Sequence, residues 1–514
     1  MQYPIGIQSF KEIREGGYVY VDKTASLYKI THSGKYFFLS RPRRFGKSLI
    51  LSTLEAYFEG RKELFEGLAM AELEKEWARY PVIHIDLNKG PFASVENLRL
   101  HLIAQISKLE ERFGRKESEV MISDRFSGVI ERAVEKAGRN VVVLIDEYDK
   151  PLLEAIGKPD LLEALRDELR GFYSVLKSCD KYIRFAMLTG VTKFGRLSVF
   201  SGLNNLEDIT FDPTYASLCG ITEQELLDTF PESIAAMAVE YECSADEMVG
   251  KLRNLYDGYR FTHINTLVYN PFSLLIAFKQ KMLGQYWFET GTPNYLVKLL
   301  RRNHYDIADL EGVTADVDRL SNMDPESTDP IPAIYQSGYL TIKSYDREYN
   351  AFTLGFPNEE VRIGLMKYLL PVYVDDYTAI DRFDYRKFAT EIKQGRADDF
   401  MRRLQALTAS ISYEILANCE KDFQNLLFVV FSLTGVHPNV ERRTSNGRID
   451  MVIETAKYVY VMEYKVDSTA QNAMDQINSK QYSLSWTADS RQVIKIGATF
   501  STAERRLTDY LIEK

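Results

Sequence analysis

The stretch Arg41-Pro42-Arg43-Arg44-Phe45-Gly46-Lys47-Ser48 lies between an apolar run, Tyr36 to Ser40, and a helix-periodic run that begins near Leu49. A strand, a turn and a helix in that order gather backbone amides at a helix N-terminus, where they can surround an anion. Gly46 allows the main chain to approach a phosphate, Lys47 can reach its β and γ oxygens, and Ser48 can hold Mg2+ beside them. The first glycine of the general GxxxxGK[ST] pattern is missing, because Arg41 stands there. A bare Gly-Lys-Ser triplet arises easily by chance in a chain of 514 residues, so the flanking strand and helix carry the argument.

A second run supports it. Val141-Val142-Val143-Leu144-Ile145 is apolar on both faces, as a buried parallel strand should be, and delivers Asp146 and Glu147 at its carboxyl end. Asp146 can hold the Mg2+ and its water, while Glu147 can polarise the water that attacks a γ-phosphate. A buried strand ending in a solvated turn would suit Asp146-Glu147-Tyr148-Asp149 equally well, and only the upstream loop decides between the two. Ile183 to Leu188 is a further strand, ending at Thr189, which either senses the γ-phosphate or simply terminates the strand. Arg43, Arg44, Arg196 and Arg260 are candidates to stabilise transferred charge, against the plainer alternative of surface arginines.

Outward from these runs, Tyr36 to Ser40, Val82 to Asp86, Val141 to Ile145 and Ile183 to Leu188 alternate with helical stretches, the pattern of an α/β domain over residues 1–215. Residues 216–412 turn mainly helical, a lid or connector, with a polar loop or boundary at Ser321 to Pro332. Residues 413–514 form a second α/β unit. At roughly 150 residues per domain the length accommodates this division. Lys and Arg number 64 against 73 Asp and Glu, so no global positive field draws in nucleic acid, and any such contact needs local patches. No apolar run is long enough to span a bilayer and no secretory leader is visible, so a cytoplasmic location without membrane contact is expected. The four cysteines are scattered and the six histidines lack ligand spacing, which argues against a disulfide framework and a zinc site.

Ser40 to Leu49, together with Tyr20-Val21-Asp22-Lys23-Thr24 and Leu144 to Asp149, resembles the bacterial AAA-ATPase-like family, whose arginine-rich loop lacks the first glycine. Phe200 to Leu206, Tyr256-Asp257-Gly258-Tyr259-Arg260-Phe261 and Asn270-Pro271-Phe272-Ser273 are similar to its recurring segments. The resemblance spans about the first 300 residues. It implies a P-loop NTPase fold, a parallel sheet with helices on both faces, and ATP with Mg2+ bound by Arg43, Arg44, Phe45, Gly46, Lys47, Ser48, Asp146 and Thr189. Glu147 is then the catalytic carboxylate.

The C-terminal unit offers a second constellation. If Gly447 to Thr455 pairs with Tyr458 to Lys465 across a tight turn, Asp450 lies directly opposite Glu463, with Lys465 two positions further on the same face. The other face, Ile449, Met451 and Ile453 against Tyr458, Tyr460, Met462 and Tyr464, is expected to be core. Facing carboxylates repel unless a cation intervenes, which invites Mg2+ or Mn2+; a cross-strand salt network with Lys465 and Arg448 is the alternative. The order of helix, Glu441, Gly447-Arg448-Ile449-Asp450, Glu463-Tyr464-Lys465, then helix with Gln476 and Tyr482, resembles the PD-(D/E)XK nuclease superfamily over about residues 415–505. It implies a restriction-endonuclease-like fold, Asp450 and Glu463 as metal ligands, Lys465 as catalytic lysine and Gln476 as a helical residue reaching the site. Ile449 stands in place of the proline of the superfamily's name. Glu441 and Glu420 are candidate auxiliary ligands.

The chain is thus expected to bind and hydrolyse ATP and to cleave nucleic acid, DNA favoured over RNA, under nucleotide control, with a second copy of itself an allowed partner. The alternative is a nucleotide-dependent switch whose second unit binds a partner or nucleic acid without cutting it. From residue 415 onward, 12 Lys and Arg balance 12 Asp and Glu, so phosphate contact would fall to Arg442, Arg443, Arg448, Arg505 and Arg506.

Overall fold

The computed structural model describes residues 1–194, 199–200, 203, 205–290, 296, 299–300, 305–324, 327–374, 383–409, 420–435, 438–444 and 447–514. The chain divides into two compact units, Met1–Gly291 with Gly312–Glu360, and Thr292–Glu311 with Val361–Lys514.

In the first unit, β1 (Tyr36–Ser40), β2 (Val82–Asp86), β3 (Val141–Asp146), β4 (Ile183–Gly190) and the short β5 (Glu207–Asp208) form one sheet in the order β2-β3-β4-β1-β5. Every pairing in it is parallel. β1 and β3 are buried along their whole length, which explains their unbroken apolar sequence: helices such as Lys47–Phe58 and Pro159–Ser178 cover the sheet. The order sets β4 between β1 and β3, so the chain leaving β1, the end of β3 and the end of β4 are neighbours. Leu39 pairs with Thr189, and Ile145 with Leu188.

The helical middle begins with Glu223–Thr229, Pro231–Glu240, Ala245–Tyr256 and Pro271–Gln280. Two of these start in capping boxes, Thr222 with Glu225 and Ser244 with Glu247, where each side chain satisfies the other's orphan amide. Their core of Phe230, Met237, Leu252, Tyr256 and Phe278 also receives Tyr3, Val19 and Val21, so the N-terminal segment packs against these helices. The polar stretch Ser321 to Pro332 falls inside the first unit, and its residues 325–326 lie outside the described set. Around it the structure adds a small antiparallel sheet, β6 (Thr314–Ala315), β7 (Thr341–Asp346) and β8 (Ala351–Gly355), ordered β6-β8-β7. Helical periodicity gave no sign of these strands.

The second unit is built on β9 (Pro438–Thr444), β10 (Gly447–Glu454), β11 (Tyr458–Val466), β12 (Gln492–Ser501) and β13 (Arg506–Glu513), ordered β13-β12-β11-β10-β9. β11 and β12 run parallel and the other neighbours antiparallel. Helix Ala470–Ser479 joins β11 to β12 and lies on one face, with Met474 and Ile477 against Val452, Val459 and Val461. On the other face Tyr460 meets Phe400, which with Phe388 and Phe431 forms an aromatic cluster. Both faces of the hairpin are therefore core, which corrects the expectation of one apolar and one charged face. On the helix-covered face the valines fill the middle, leaving Asp450, Glu463 and Lys465 at one end and Glu454, paired with Arg491, at the other.

Gly497 pairs with Glu463, and a Cβ there would come within 2.6 Å of the Met474 amide nitrogen and 2.7 Å of the Ala470 carbonyl. Its bare backbone is what lets the helix lie close on the sheet. Gly497→Ala is expected to cost about 1–3 kcal/mol, read as a lower urea midpoint for the second unit, since neither backbone can give way cheaply.

Candidate functional site

In the first unit the loop after β1 turns at Gly46, whose φ of 91° favours glycine, and feeds Lys47 into the first turn of its helix. The Lys47 ammonium curls back over the loop and donates to the carbonyls of Arg41 (3.0 Å) and Pro42 (3.1 Å); the residue is 4% exposed. Ser48 follows it at the helix start. Arg41, at the position of the missing glycine, turns its side chain away from the loop interior. It is 1% exposed, donates to the carbonyls of Ser40 (2.9 Å) and Thr210 (2.8 Å), and lies 4.4 Å over the Phe261 ring. A side chain with such an exit needs no glycine.

Phe45 is buried edge-on against Tyr259 (4.7 Å) and Phe261 (5.4 Å), so it anchors the loop from behind. Arg43 is exposed, and its carbonyl accepts a 3.4 Å bond from the Trp287 indole. Arg44 is exposed as well, with its guanidinium 4.5 Å over the Phe272 ring. Arg260, weighed for transferred charge or as a surface residue, is neither. It is buried with its donors spent on the carbonyls of Thr262, His263, Ile264 and Lys343. Arg196 lies outside the described residues.

Across the sheet, Asp146 accepts from the Thr189 hydroxyl (2.6 Å) and from the Glu147 amide (3.0 Å). Thr189 thus does more than end its strand: it orients the carboxylate. Glu147 sits at φ 52°, in the left-handed region, and its carboxylate makes no hydrogen bond among the described residues. Sequence reasoning passed over the two residues that hold this turn. The Tyr148 hydroxyl donates to the Thr192 carbonyl (2.9 Å). Asp149, fully buried, accepts from the amides of Val191 (3.0 Å) and Thr192 (2.6 Å) on one oxygen, and the other has no partner among the described residues. Burial, then the nearby Glu147, pushes the Asp149 carboxyl up to about 6. The Asp-Glu-Tyr-Asp string carried the signal, but nothing local told a clamp from a solvated turn.

Beside the loop opens an apolar cavity of about 620 Å3 including its mouth, with Val19, Val21, Phe45, Leu49, Ile221 and Leu275 in its walls. Gly46 and Pro271 also line it, so it adjoins the phosphate loop on one side and helix Pro271–Gln280 on another. Lys23 contributes only its stem, because its ammonium is held by the Ser217 carbonyl (2.7 Å) and both Glu225 oxygens (2.6 Å each). The segments Tyr20 to Thr24, Tyr256 to Phe261 and Asn270 to Ser273 thereby find a common purpose: all of them surround this loop and cavity.

In the second unit β10 and β11 pair Met451 with Met462 and step evenly to Glu454 with Val459, the register expected from the sequence. One step further, Asp450 accepts the Tyr464 amide at 2.8 Å. Glu463 is 1% exposed. One of its oxygens receives Lys465 (3.3 Å) and the Gln476 side-chain amide; the other is buried with no partner among the described residues. Burial first, and then Asp450, pushes the Glu463 carboxyl up to about 7. Asp450, Glu463, Lys465 and Gln476 are therefore gathered as the resemblance implies, and an unpartnered buried carboxylate oxygen beside a second carboxylate suits a hard cation. Among the described residues no group of three or more His, Cys, Asp or Glu forms a metal cluster. The side chains of Glu420, Glu441, Arg442 and Arg443 lie outside the described set. Arg506 pairs with Glu504. No described helix is long and apolar enough to cross a membrane.

Residues 4–200 match the family profile described as "Predicted AAA-ATPase", and residues 418–510 match the PD-(D/E)XK nuclease superfamily. The chain is also 35% identical over 524 residues to a protein of Azotobacter chroococcum mcd 1 described as "Uncharacterized protein in vnfD 5'region", covering 99% of this chain and 98% of that one. The two profiles fall at the two ends of the chain, and the relative extends along its whole length. The chain belongs to the AAA-ATPase-like family and carries a PD-(D/E)XK nuclease superfamily domain at its C-terminal end.

Proposed function

We propose that this protein binds and hydrolyses ATP in its first unit and uses that cycle to control metal-dependent cleavage of nucleic acid, DNA in preference to RNA, by its second unit in the cytoplasm. The observation that carries the reading is the alignment of Lys47, Asp146 and Thr189 at the carboxyl ends of three adjacent strands, with the ammonium turned into its own loop. Lys47 exchanges its two carbonyl partners for phosphate oxygens. Glu147, whose carboxylate makes no hydrogen bond among the described residues, accepts the proton of the attacking water, and Thr189 keeps Asp146 from rotating. The apolar cavity takes the base. Ser48 with Asp146, and Asp450 with Glu463, are the residues to hold Mg2+. When bound, Mg2+ neutralises phosphoryl oxygens at the first site and makes water a better nucleophile at the second. Lys465 offsets charge developing on the scissile phosphate, and Gln476 holds the Glu463 carboxylate in position.

The switch that binds without cutting remains the second reading, favoured by one feature: Lys465 and Gln476 already share one oxygen of Glu463, as a salt network would have it. A cleavage assay on DNA and RNA, with and without ATP and Mg2+, separates the two. Glu463→Ala and Lys465→Ala are each expected to lower cleavage at least ~100-fold, and unchanged cleavage in either variant would remove the nuclease reading.

Lys47→Ala should abolish ATP turnover while the melting temperature stays near that of the parent, because Lys47 supports no apolar core. Phosphate release at the parental rate would refute the assignment. A third expectation concerns pH. The Glu463 carboxyl titrates higher in the fold than in the unfolded chain, so stability without metal should fall as pH rises from about 5 through about 7. Glu463→Gln, a neutral isostere, should therefore melt several degrees above the parent at pH 8 in chelator and level with it at pH 5, in paired calorimetric scans.

A further inference from the structure

Arg44 is the residue of the phosphate loop whose side chain is committed to nothing in its own strand or helix. It adopts φ 70°, a conformation that glycine takes freely and that costs a long side chain about 1 kcal/mol, so the loop keeps an arginine here against its backbone preference. Among the described residues its guanidinium makes no hydrogen bond and no ion pair. It lies over the Phe272 ring, 4.5 Å from the ring centroid. Stacking of this kind engages the flat face of the guanidinium and leaves the N–H donors, which lie in its plane, free for a bidentate anion. The two buried arginines nearby, Arg41 and Arg260, are instead turned to backbone carbonyls.

Phe272 belongs to helix Pro271–Gln280, which Asn270 caps through the Ser273 amide. Pro271 and Leu275 of that same helix line the cavity assigned to the base, and Phe45 and Gly46 of the phosphate loop line it too. One side chain therefore spans from the loop that would hold phosphate to the helix that would cover the base. Arg43 precedes it and Lys47 follows within the turn, and the Glu147 carboxylate bears on its charge without forming an ion pair among the described residues.

We propose that Arg44 couples the two halves of the nucleotide site: its guanidinium binds the phosphate chain while remaining on the Phe272 face, and so fixes helix Pro271–Gln280 over the base. This rests on the nucleotide reading above and adds to it a positioning role and a division of affinity. Phosphate recognition and base closure become one event, and a ligand without phosphates cannot use the coupling.

The test is calorimetric titration of the full chain with the magnesium complex of a slowly hydrolysed ATP analogue, beside adenosine followed by ligand-observed NMR. Arg44→Ala is expected to weaken the triphosphate at least tenfold and to leave adenosine within twofold. Phe272→Ala should weaken the triphosphate three- to tenfold, the double variant should be no weaker than Arg44→Ala alone, and Phe272→Tyr, which keeps the ring, should restore parental affinity. Parental affinity in Arg44→Ala, equal losses for adenosine and triphosphate, or effects that multiply in the double variant would each overturn the proposal while leaving the nucleotide reading intact. A parental chain that gives no heat with the triphosphate would overturn both.

Discussion

Lys47 is buried with its ammonium held by two backbone carbonyls and, among the described residues, by no carboxylate. An ammonium withdrawn from water is tolerated only where oxygen dipoles replace the lost solvent, and two carbonyls do so incompletely. That requirement explains the surrounding construction. Arg41 has to leave the loop interior, and does so along Phe261. Phe45 has to brace the loop from behind, and Tyr259 and Phe261 supply the wall. The sheet order sets Asp146 and Thr189 on the strands beside the loop, where a nucleotide's phosphates and the lysine could meet their opposite charges.

The second unit obeys the same constraint with the sign reversed. Glu463 is buried with one oxygen shared by Lys465 and Gln476 and the other unmatched, and Asp450 adds a like charge across the hairpin. The fold imposes this cost through Gly497, which lets helix Ala470–Ser479 press against the strand and bring Gln476 to the carboxylate. Both units hold a charge that protein groups leave partly unanswered. In the first a phosphate chain would complete it, in the second a cation.

Much of this was legible in order along the chain. Apolar runs of five or six residues marked β1 and β3, because strands buried on both faces have no polar alternation to confuse the reading. The hairpin register followed from alternation and a tight turn alone, and the structure keeps it from Met451 to Glu454. Other features were not legible. β5 and β6 are two-residue strands whose existence depends on their neighbours, and β9 and β13 are edge strands. The acid-bearing face of the hairpin was read as charged, and Val452, Val459 and Val461 gain meaning only once a helix lies on them. Arg260 read as a candidate for transferred charge or as a surface arginine until four carbonyls converged on it.

Local sequence alone determined which residues could bear the chemistry: a glycine, lysine and serine at a helix start, adjacent acids at the end of a buried strand, and two acids with a lysine on one hairpin face. These depend on spacings of a few residues, where backbone geometry leaves little freedom. Tertiary structure alone decided which of them meet, that Asp149 clamps the turn beneath Glu147, that Arg44 rests on Phe272, and that a cavity opens between the N-terminal segment, the loop and helix Pro271–Gln280. Those contacts join residues far apart in sequence, some by more than 200 positions, and are set by the packing of whole elements, which no short window of sequence encodes.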